Sequence, residues 1–261
     1  MLSVAQIKHL KSLHQKKFRH KENRFILEGH RLISQALTAK AKIEEVWITK
    51  KSLKSPNGEN LIHQIENNNI PWSIAPNKII RQISDSFNDQ GIIALTPIPI
   101  YEKYKNPPQQ SLYLDGISDP GNMGTLLRTA AWFGIKSVFR SSECVDPFNS
   151  KVVRSAMGAH FYFSHFEAIT EENIINDFIK SGIKVLGADM EGSSISTFNV
   201  SDTNRWILVL SSEAHGISES LRSLITTKVT IPGVQGMESL NVSIAGGILL
   251  HALKSSEVVT N

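Results

Sequence analysis

Three stretches of the sequence place glycines beside polar side chains directly after an apolar run. They are LDGISDPGNMGTLLRTAAWFG (residues 114–134), LVLSSEAHGIS (208–218) and IPGVQGMESLNVSIAGG (231–247). Glycine permits positive backbone φ angles and lets a ligand approach the main chain closely. Because ligands bind at the carboxyl ends of strands in an open parallel sheet, these turns are the candidate ligand site.

The elements that must position these turns are strands and helices in alternation. The runs SLYLDGI, IKSVFRS, IKVLGADM, RWILVLSSE and KVTIP are continuous apolar segments, and helical patterns separate them. Continuous apolar strands are typical of a parallel sheet that helices cover on both faces. The sequence therefore predicts an α/β domain with a parallel sheet, which would bring all three turns to one edge.

Each polar residue in the turns also has a purely structural interpretation. Asn122 could be the N-cap of its helix, Ser239 or Asn241 could cap the last helix, and Glu213 could be another cap. Arg128 could lie on a solvated helix face. The presence of all three turns in a single sheet domain favours the functional interpretation.

Several common chemistries are excluded by what the turns lack. DPGNMG does not have the G-x-G-x-x-G spacing of a dinucleotide site, no glycine-rich turn leads into G-K-S/T, and there is no G-x-S-x-G elbow. The histidines lack metal-ligand spacing. Cys144 is the single cysteine, so no internal disulfide can form, and no metal is expected.

The composition and a proline-rich segment suggest two domains. The chain has 261 residues, of which 41% are apolar and 20% charged, as in ordinary globular proteins. Four prolines stand among polar residues in TPIPIYEKYKNPPQQ (96–110). We predict a basic arm and small α/β domain over 1–96, a linker over 97–110, and the parallel-sheet domain over 111–261. With no bilayer-spanning apolar run and no secretory signal, we expect a cytoplasmic protein without membrane association.

Positive charge is concentrated at the amino terminus. The net charge is only +4, yet a single acidic residue, Glu22, opposes the basic residues of the first two dozen positions, which are Lys8, Lys11, Lys16, Lys17, Arg19, Lys21 and Arg24. Such a cluster is expected where a protein contacts phosphates, although a solvated helix face would look the same. The predicted RNA contacts are Lys16, Lys17, Arg19 and Arg24.

Taken together, the three turns resemble the three motifs of the SpoU (TrmH-like) branch of the SPOUT methyltransferases. RFILEGHRLISQAL (24–37) is more loosely similar to the L30e-like RNA-binding domain that precedes the catalytic domain in many members. The resemblance implies S-adenosyl-L-methionine as cofactor, methylation of a ribose 2′-hydroxyl in RNA, and a deep trefoil knot. It also implies a homodimer formed through the knotted domain, and it favours ribosomal over transfer RNA.

Roles for individual residues follow from the same resemblance. Arg128 would act on the 2′-hydroxyl with support from Asn122, while Glu213, Ser239 and Asn241 would shape the catalytic site. Backbone groups would bind the cofactor near Leu210, Ser211, Gly216, Ile231, Leu240 and Asn241. The chain departs from the family at Ser211, where glycine is usual, and at Gly233 and Gln235, which replace the usual methionine and glycine.

Two other functions stay open at this point. A non-enzymatic RNA-binding protein could keep the fold without methyl transfer, although the intact set of motif residues argues against it. A nucleotide-binding oxidoreductase would require the dinucleotide motif that the chain lacks.

Overall fold

The computed structural model describes residues 2–87, 89–197, 204–212, 216–234 and 239–258. Contacts divide the chain into two compact units. The first contains the residues up to Ile100 together with Asp146–Phe161, and the second contains Tyr101–Val145 together with the residues from Tyr162 onward. Among the described residues, every helix is too short or too polar to span a bilayer.

The regular elements alternate along the described parts of the chain. The strands are β1 (Arg24–Glu28), β2 (Glu45–Ile48), β3 (Trp72–Ile74), β4 (Ile92–Pro97), β5 (Gln110–Asp115), β6 (Ser137–Arg140), β7 (His165–Ala168), β8 (Lys184–Ser194), β9 (Trp206–Ser211) and β10 (Thr227–Thr230). The α-helices are α1 (Val4–Ser12), α2 (Lys16–Glu22), α3 (His30–Thr38), α4 (Lys50–Leu53), α5 (Pro56–Asn67), α6 (Asn77–Ile83), α7 (Pro120–Trp132), α8 (Ser150–Ala156), α9 (Glu171–Asn173), α10 (Glu219–Arg222) and α11 (Val242–Val258).

The first unit is the small α/β domain that the sequence predicts. Its sheet has the order β1-β4-β2-β3, in which β4 is antiparallel to both neighbours and β2 is parallel to β3. Helices α1 and α6 contribute Leu10 and Ile80 to a core that includes Trp47 of β2 and Ile93 of β4. Burial of these large apolar side chains holds the helices on the sheet.

The second unit contains a six-stranded sheet in which every strand pair is parallel. The order is β10-β8-β9-β5-β6-β7, so that β9 and β5 lie in the middle. The side chains of Leu112, Tyr113, Ile207 and Val209 on these two strands are fully buried, in agreement with the predicted continuous apolar runs. The parallel direction brings the carboxyl ends of all six strands to one edge.

Aromatic side chains give the proline-rich segment a place in the second unit. The Tyr104 ring packs edge-on against Phe139 and Phe178, and its hydroxyl donates to the Asp177 carboxylate at 2.6 Å. Burial of the ring raises the pKa of Tyr104 above its usual value. The linker prediction, which depended on proline and polar composition, did not include these contacts.

Residues Asp146–Phe161, which the sequence pattern places in the carboxyl-terminal domain, have their contacts in the first unit. The rings of Phe148 and Phe161 lie 5.0 and 6.2 Å from the Phe25 ring of β1. The Asp146 carboxylate forms a buried ion pair with Arg19. Aromatic packing and charge pairing between residues far apart in sequence explain why no local pattern indicated this.

The last helix, α11, packs on the middle of the second unit. A Cβ atom added to Gly246 would lie 2.5 Å from Leu126 Cδ2 of α7 and 2.7 Å from Leu210 Cδ1 of β9. Any side chain at this position would force the Leu126 and Leu210 methyl groups to shift. Gly246 therefore serves close packing within the chain.

Candidate functional site

The turns that follow β5 and β9 are tied together at the carboxyl edge of the sheet. Asp115, the last residue of β5, is buried and pairs with Ser211 across the two strands. Its carbonyl oxygen accepts from the Ser212 N–H at 3.1 Å, and its carboxylate accepts from the Ser218 N–H at 2.9 Å. Asp115 thus connects the first and second motifs.

The amino terminus of α7 is capped by Asp119. Its carboxylate accepts from the Asn122 N–H at 2.7 Å, and Pro120 occupies the first helical turn. This corrects the structural interpretation of Asn122 as an N-cap, because Asn122 lies inside the first turn. Its side chain is consequently available for another contact.

That contact is made with the third motif. The Asn241 side-chain N–H donates to Asn122 Oδ1 at 3.0 Å. Asn241 Oδ1 at the same time accepts from the N–H of Ser243 at 3.0 Å and from its hydroxyl at 2.6 Å, which makes Asn241 the N-cap of α11. The cap predicted for this helix is therefore confirmed at Asn241, whose amide also joins the first and third motifs.

Arg128 lies on the exposed face of α7 and forms no hydrogen bond or ion pair with the part of the chain that the structure describes. It lies six residues after Asn122, about 9 Å farther along the helix axis. Arg128 is thus an exposed cation without an internal partner in the described structure, on the helix that also carries Asn122.

The residues predicted to bind the cofactor lie along the same edge. Leu210 is buried, so only its main chain is open to a ligand, whereas Ser211 is half-buried at the end of β9. Gly216 has a φ of +64°, and a Cβ built there would meet no atom within 4 Å. Ile231 and Leu240 lie at the two ends of the third turn. Ile231 is half-buried, and Leu240 is exposed.

The structure describes only some of the other predicted residues of the turns. Ser239 is exposed two residues before the Asn241 cap. Glu213, Gln235 and Gly236 lie outside the described residues. At Gly233 a Cβ would meet nothing within 4 Å, so this departure from the family is not required by packing.

The structure corrects the prediction that Arg19 binds RNA. Its side chain is 3% exposed and paired with Asp146. The guanidinium also donates to the carbonyl oxygens of Leu13 at 2.9 Å and His14 at 2.6 Å. The charge pattern could not reveal this, because a count of basic residues does not show which of their side chains are buried.

The other three predicted RNA contacts differ among themselves. The Arg24 Nε–H donates to the Glu44 carboxylate at 2.6 Å, and this bond raises the pKa of Arg24. Lys16 and Lys17 are exposed at the start of α2 and form no ion pair within the described ranges. The two lysines therefore stay as the predicted RNA contacts.

Sequence reasoning missed two acidic residues that organise the site. Asp115 ends an apolar strand, and a carboxylate directly after such a run is a usable signal. Asp119 precedes Pro120, and an N-cap aspartate before a first-turn proline is a recognised helix start.

Comparisons with known proteins agree with this geometry. The SpoU rRNA Methylase family model matches residues 109–251, and the MRM3-like substrate binding domain matches residues 5–94. The chain is 26% identical to the 23S rRNA (guanosine(2553)-2′-O)-methyltransferase RlmP of Bacillus subtilis over 95% of this chain and 96% of the relative.

Solved structures give the same result over the whole chain. One from Porphyromonas gingivalis, assigned to the TrmH family of RNA methyltransferases, shares 33% identity and a TM-score of 0.80, covering 97% of this chain and 98% of that one. An rRNA methyltransferase from Sinorhizobium meliloti with bound AdoMet shares 25% identity and a TM-score of 0.80, covering 98% and 97%. The predicted family is confirmed: the chain belongs to the SpoU rRNA methylase family.

Proposed function

We propose that this protein transfers a methyl group from S-adenosyl-L-methionine to a ribose 2′-hydroxyl of ribosomal RNA. The observation that carries the proposal is the hydrogen bond between Asn241 and Asn122, which joins the third motif to the first beside Arg128. The similarity to RlmP, named as a 23S rRNA 2′-O-methyltransferase, supports ribosomal RNA as the substrate.

The described residues fit a bound S-adenosyl-L-methionine. Its adenosine would lie against the main chain near Leu210, Ser211 and Gly216, where the missing Cβ of Gly216 leaves open space. Ile231 and Leu240 would close the other side. The relative from Sinorhizobium meliloti, solved with AdoMet, supports this assignment. When bound, the cofactor supplies an electrophilic methyl group on a sulfonium that becomes a neutral thioether.

The protein's own contribution is to bind and orient the RNA. A guanidinium has no lone pair free to accept a proton, so Arg128 is a poor general base. It binds a phosphate beside the target ribose or polarises the 2′-hydroxyl, whose proton leaves to solvent. Asn122 and Asn241 hold the loop edge in a fixed geometry, and such positioning lowers the entropic part of the barrier.

A homodimer through the second unit belongs to the same proposal. Trp132 at the end of α7 is 84% exposed, and Ile244 and Ile248, one turn apart on α11, are 55% and 40% exposed. The Phe133 ring, directly after α7, and the His251 ring of α11 lie 6.0 Å apart. Exposed apolar surface of this kind marks an interaction site, and a second copy of the same face would cover it.

The trefoil knot and the cytoplasmic location complete the proposal. The chain reaches β10 at the edge of the sheet and then returns as α11 onto α7 and the middle strand β9. A return toward the middle of a sheet is what a threaded carboxyl-terminal segment requires, and it supports the knot. The cytoplasmic location stays a prediction from the sequence.

The most direct test is to map 2′-O-methyl groups across total RNA from cells with and without the gene. We expect one ribosomal nucleotide, or a few, to lose methylation, and restoration by the wild-type gene. Calorimetry of the purified protein with S-adenosyl-L-methionine should show binding, and sedimentation velocity should show a dimer. Cofactor binding without methylation of any RNA would favour the non-enzymatic RNA-binding alternative.

A further inference from the structure

An exposed phenylalanine stands out in the loop between α6 and β4 of the first unit. Phe87 is 102% exposed, the highest value among the large apolar side chains that the structure describes. The ring therefore makes no contribution to the core of its unit. An exposed aromatic ring on a loop offers a face on which a nucleic-acid base can stack.

The first end of this loop is held by hydrogen bonds to β1 and α8. The Glu28 carboxylate, on β1, accepts from the Ser84 hydroxyl at 2.5 Å and from the Asp85 N–H at 3.0 Å. The Ser150 hydroxyl of α8 donates to the Asp85 carboxylate. Three elements of the unit thus fix the backbone where the loop begins.

The other end of the loop is held as firmly. The Asp89 carboxylate accepts from the Gly91 N–H at 3.1 Å and pairs with Arg81 at 3.2 Å. The Gln90 side-chain oxygen accepts from the His30 N–H at 3.2 Å. A loop fixed at both ends presents its tip with little conformational entropy left to lose on binding.

Two basic side chains of α8 lie at the base of the loop, beside the Glu28 and Asp85 carboxylates that anchor it. Lys151 is exposed and follows Ser150, which contacts the loop directly. Arg154, one turn later on α8, has a buried Nη1 without a hydrogen-bond partner in the described part of the chain, and that atom lies 4.0 Å from Glu28. Basic side chains beside a free aromatic ring form the combination that binds unpaired nucleotides, the cations taking phosphates and the ring taking a base.

We propose that Phe87 stacks on an unpaired base of the RNA substrate, with Lys151 and Arg154 near the adjoining phosphates. The inference rests on the proposed function, because it assumes that RNA is the substrate. It assigns the first unit a contact to single-stranded RNA. Stacking tolerates any base, so Phe87 would select unpaired structure rather than sequence.

The test measures fluorescence anisotropy of the full-length protein with two fluorescein-labelled probes, single-stranded A12 and a 12-base-pair RNA duplex. We expect Phe87→Ala to weaken A12 binding by about 5- to 150-fold and to leave duplex binding unchanged. Phe87→Trp should restore A12 binding, since it keeps an aromatic face. Ile100→Ala is the matched control, because Ile100 is a 93% exposed apolar residue of the same unit.

Three results would overturn the inference. A12 affinity of Phe87→Ala equal to wild type would show that the ring does not stack. An equal loss for Ile100→Ala would show a general surface effect. A changed sedimentation coefficient without a change in A12 affinity would assign the ring to a protein contact. In each case the wild type would still bind S-adenosyl-L-methionine and methylate ribosomal RNA. If the proposed function itself were wrong, the wild type would show no such methylation.

Discussion

Two neighbouring glycines in α11 permit a sharp test of how the last helix packs. Gly246→Ala would place a methyl group 2.5 Å from Leu126 and 2.7 Å from Leu210. Gly247→Ala would place one 3.8 Å from Thr129 Cγ2, an ordinary van der Waals distance. The two substitutions are chemically identical, and they differ only in the space that receives the methyl group.

The expected effects have opposite signs. Replacing glycine by alanine inside a helix gains about 0.8 to 1 kcal/mol. Overpacking a well-filled site costs about 1 to 3 kcal/mol. Gly247→Ala should therefore raise the free energy of unfolding by up to about 1 kcal/mol, whereas Gly246→Ala should lower it by up to about 2 kcal/mol. Because the helix propensity cancels, the difference between the variants isolates the steric cost.

Equilibrium urea unfolding followed by far-ultraviolet circular dichroism measures this difference. The unfolding transition whose midpoint the substitutions change is assigned to the second unit, which contains α11. Sedimentation velocity at the same protein concentrations checks that the oligomeric state is unchanged. If the two variants agree within about 0.5 kcal/mol, the Leu126 and Leu210 methyl groups yield without cost, and the predicted steric penalty at Gly246 is refuted.

Four more predictions concern the site, the basic arm, a buried ion pair and pH. Arg128→Ala should lower methyl transfer from tritiated S-adenosyl-L-methionine by at least about 100-fold, with calorimetric cofactor affinity unchanged because the side chain has no bond to the loops in the described structure. Changing both Lys16 and Lys17 to alanine should reduce the slope of log K against log salt for RNA binding by about 1.4 to 1.8. Arg19→Ala should instead lower the free energy of unfolding by about 3 to 5 kcal/mol, because it leaves a buried carboxylate unpaired. Burial lowers the pKa of His160 to about 4, so the unfolded chain takes up a proton below pH 6.5 before the folded one does. Stability should accordingly fall by about 2 kcal/mol between pH 7.5 and pH 5.

Three of these predictions have a control or an outcome that would contradict them. Loss of cofactor binding by a folded Arg128→Ala protein would show that its role is misassigned. An unchanged salt slope would show that the two lysines lie on a solvated helix face and do not contact RNA phosphates. His160→Gln keeps a side-chain donor for the Pro147 carbonyl but cannot titrate, so it should flatten the pH dependence of unfolding. The same pH dependence in that variant would contradict the assignment.

Much of the second unit could be predicted because its signals are local. Continuous apolar runs predicted the buried parallel strands, and the shared edge of a parallel sheet predicted that the turns would meet. The cap at Asn241 was also visible, as a polar residue directly before an apolar helix. Such features depend on a few neighbouring residues and on the hydrophobic pattern.

What the sequence could not reveal depends on pairs of residues that are far apart. Arg19 pairs with Asp146, which follows it by 127 positions in the sequence. Nothing in a basic segment indicates that one of its charges is buried. The Asn241 and Asn122 side chains are separated by 119 positions, so their bond could be expected only as a general convergence of turns. The interpretation of Asn122 as a cap was wrong because the helix already begins at Pro120, where Asp119 caps it by accepting from the Asn122 N–H.

The passage of Asp146–Phe161 into the first unit has a consequence for the modularity of the protein. The polypeptide changes unit after Ile100, after Val145 and again after Phe161. Neither unit is a continuous stretch of the gene, so a single recombination point cannot exchange the first unit between relatives. A viable exchange must carry two separate segments together, and the sequences of the amino-terminal region and of residues 146–161 should therefore change in concert.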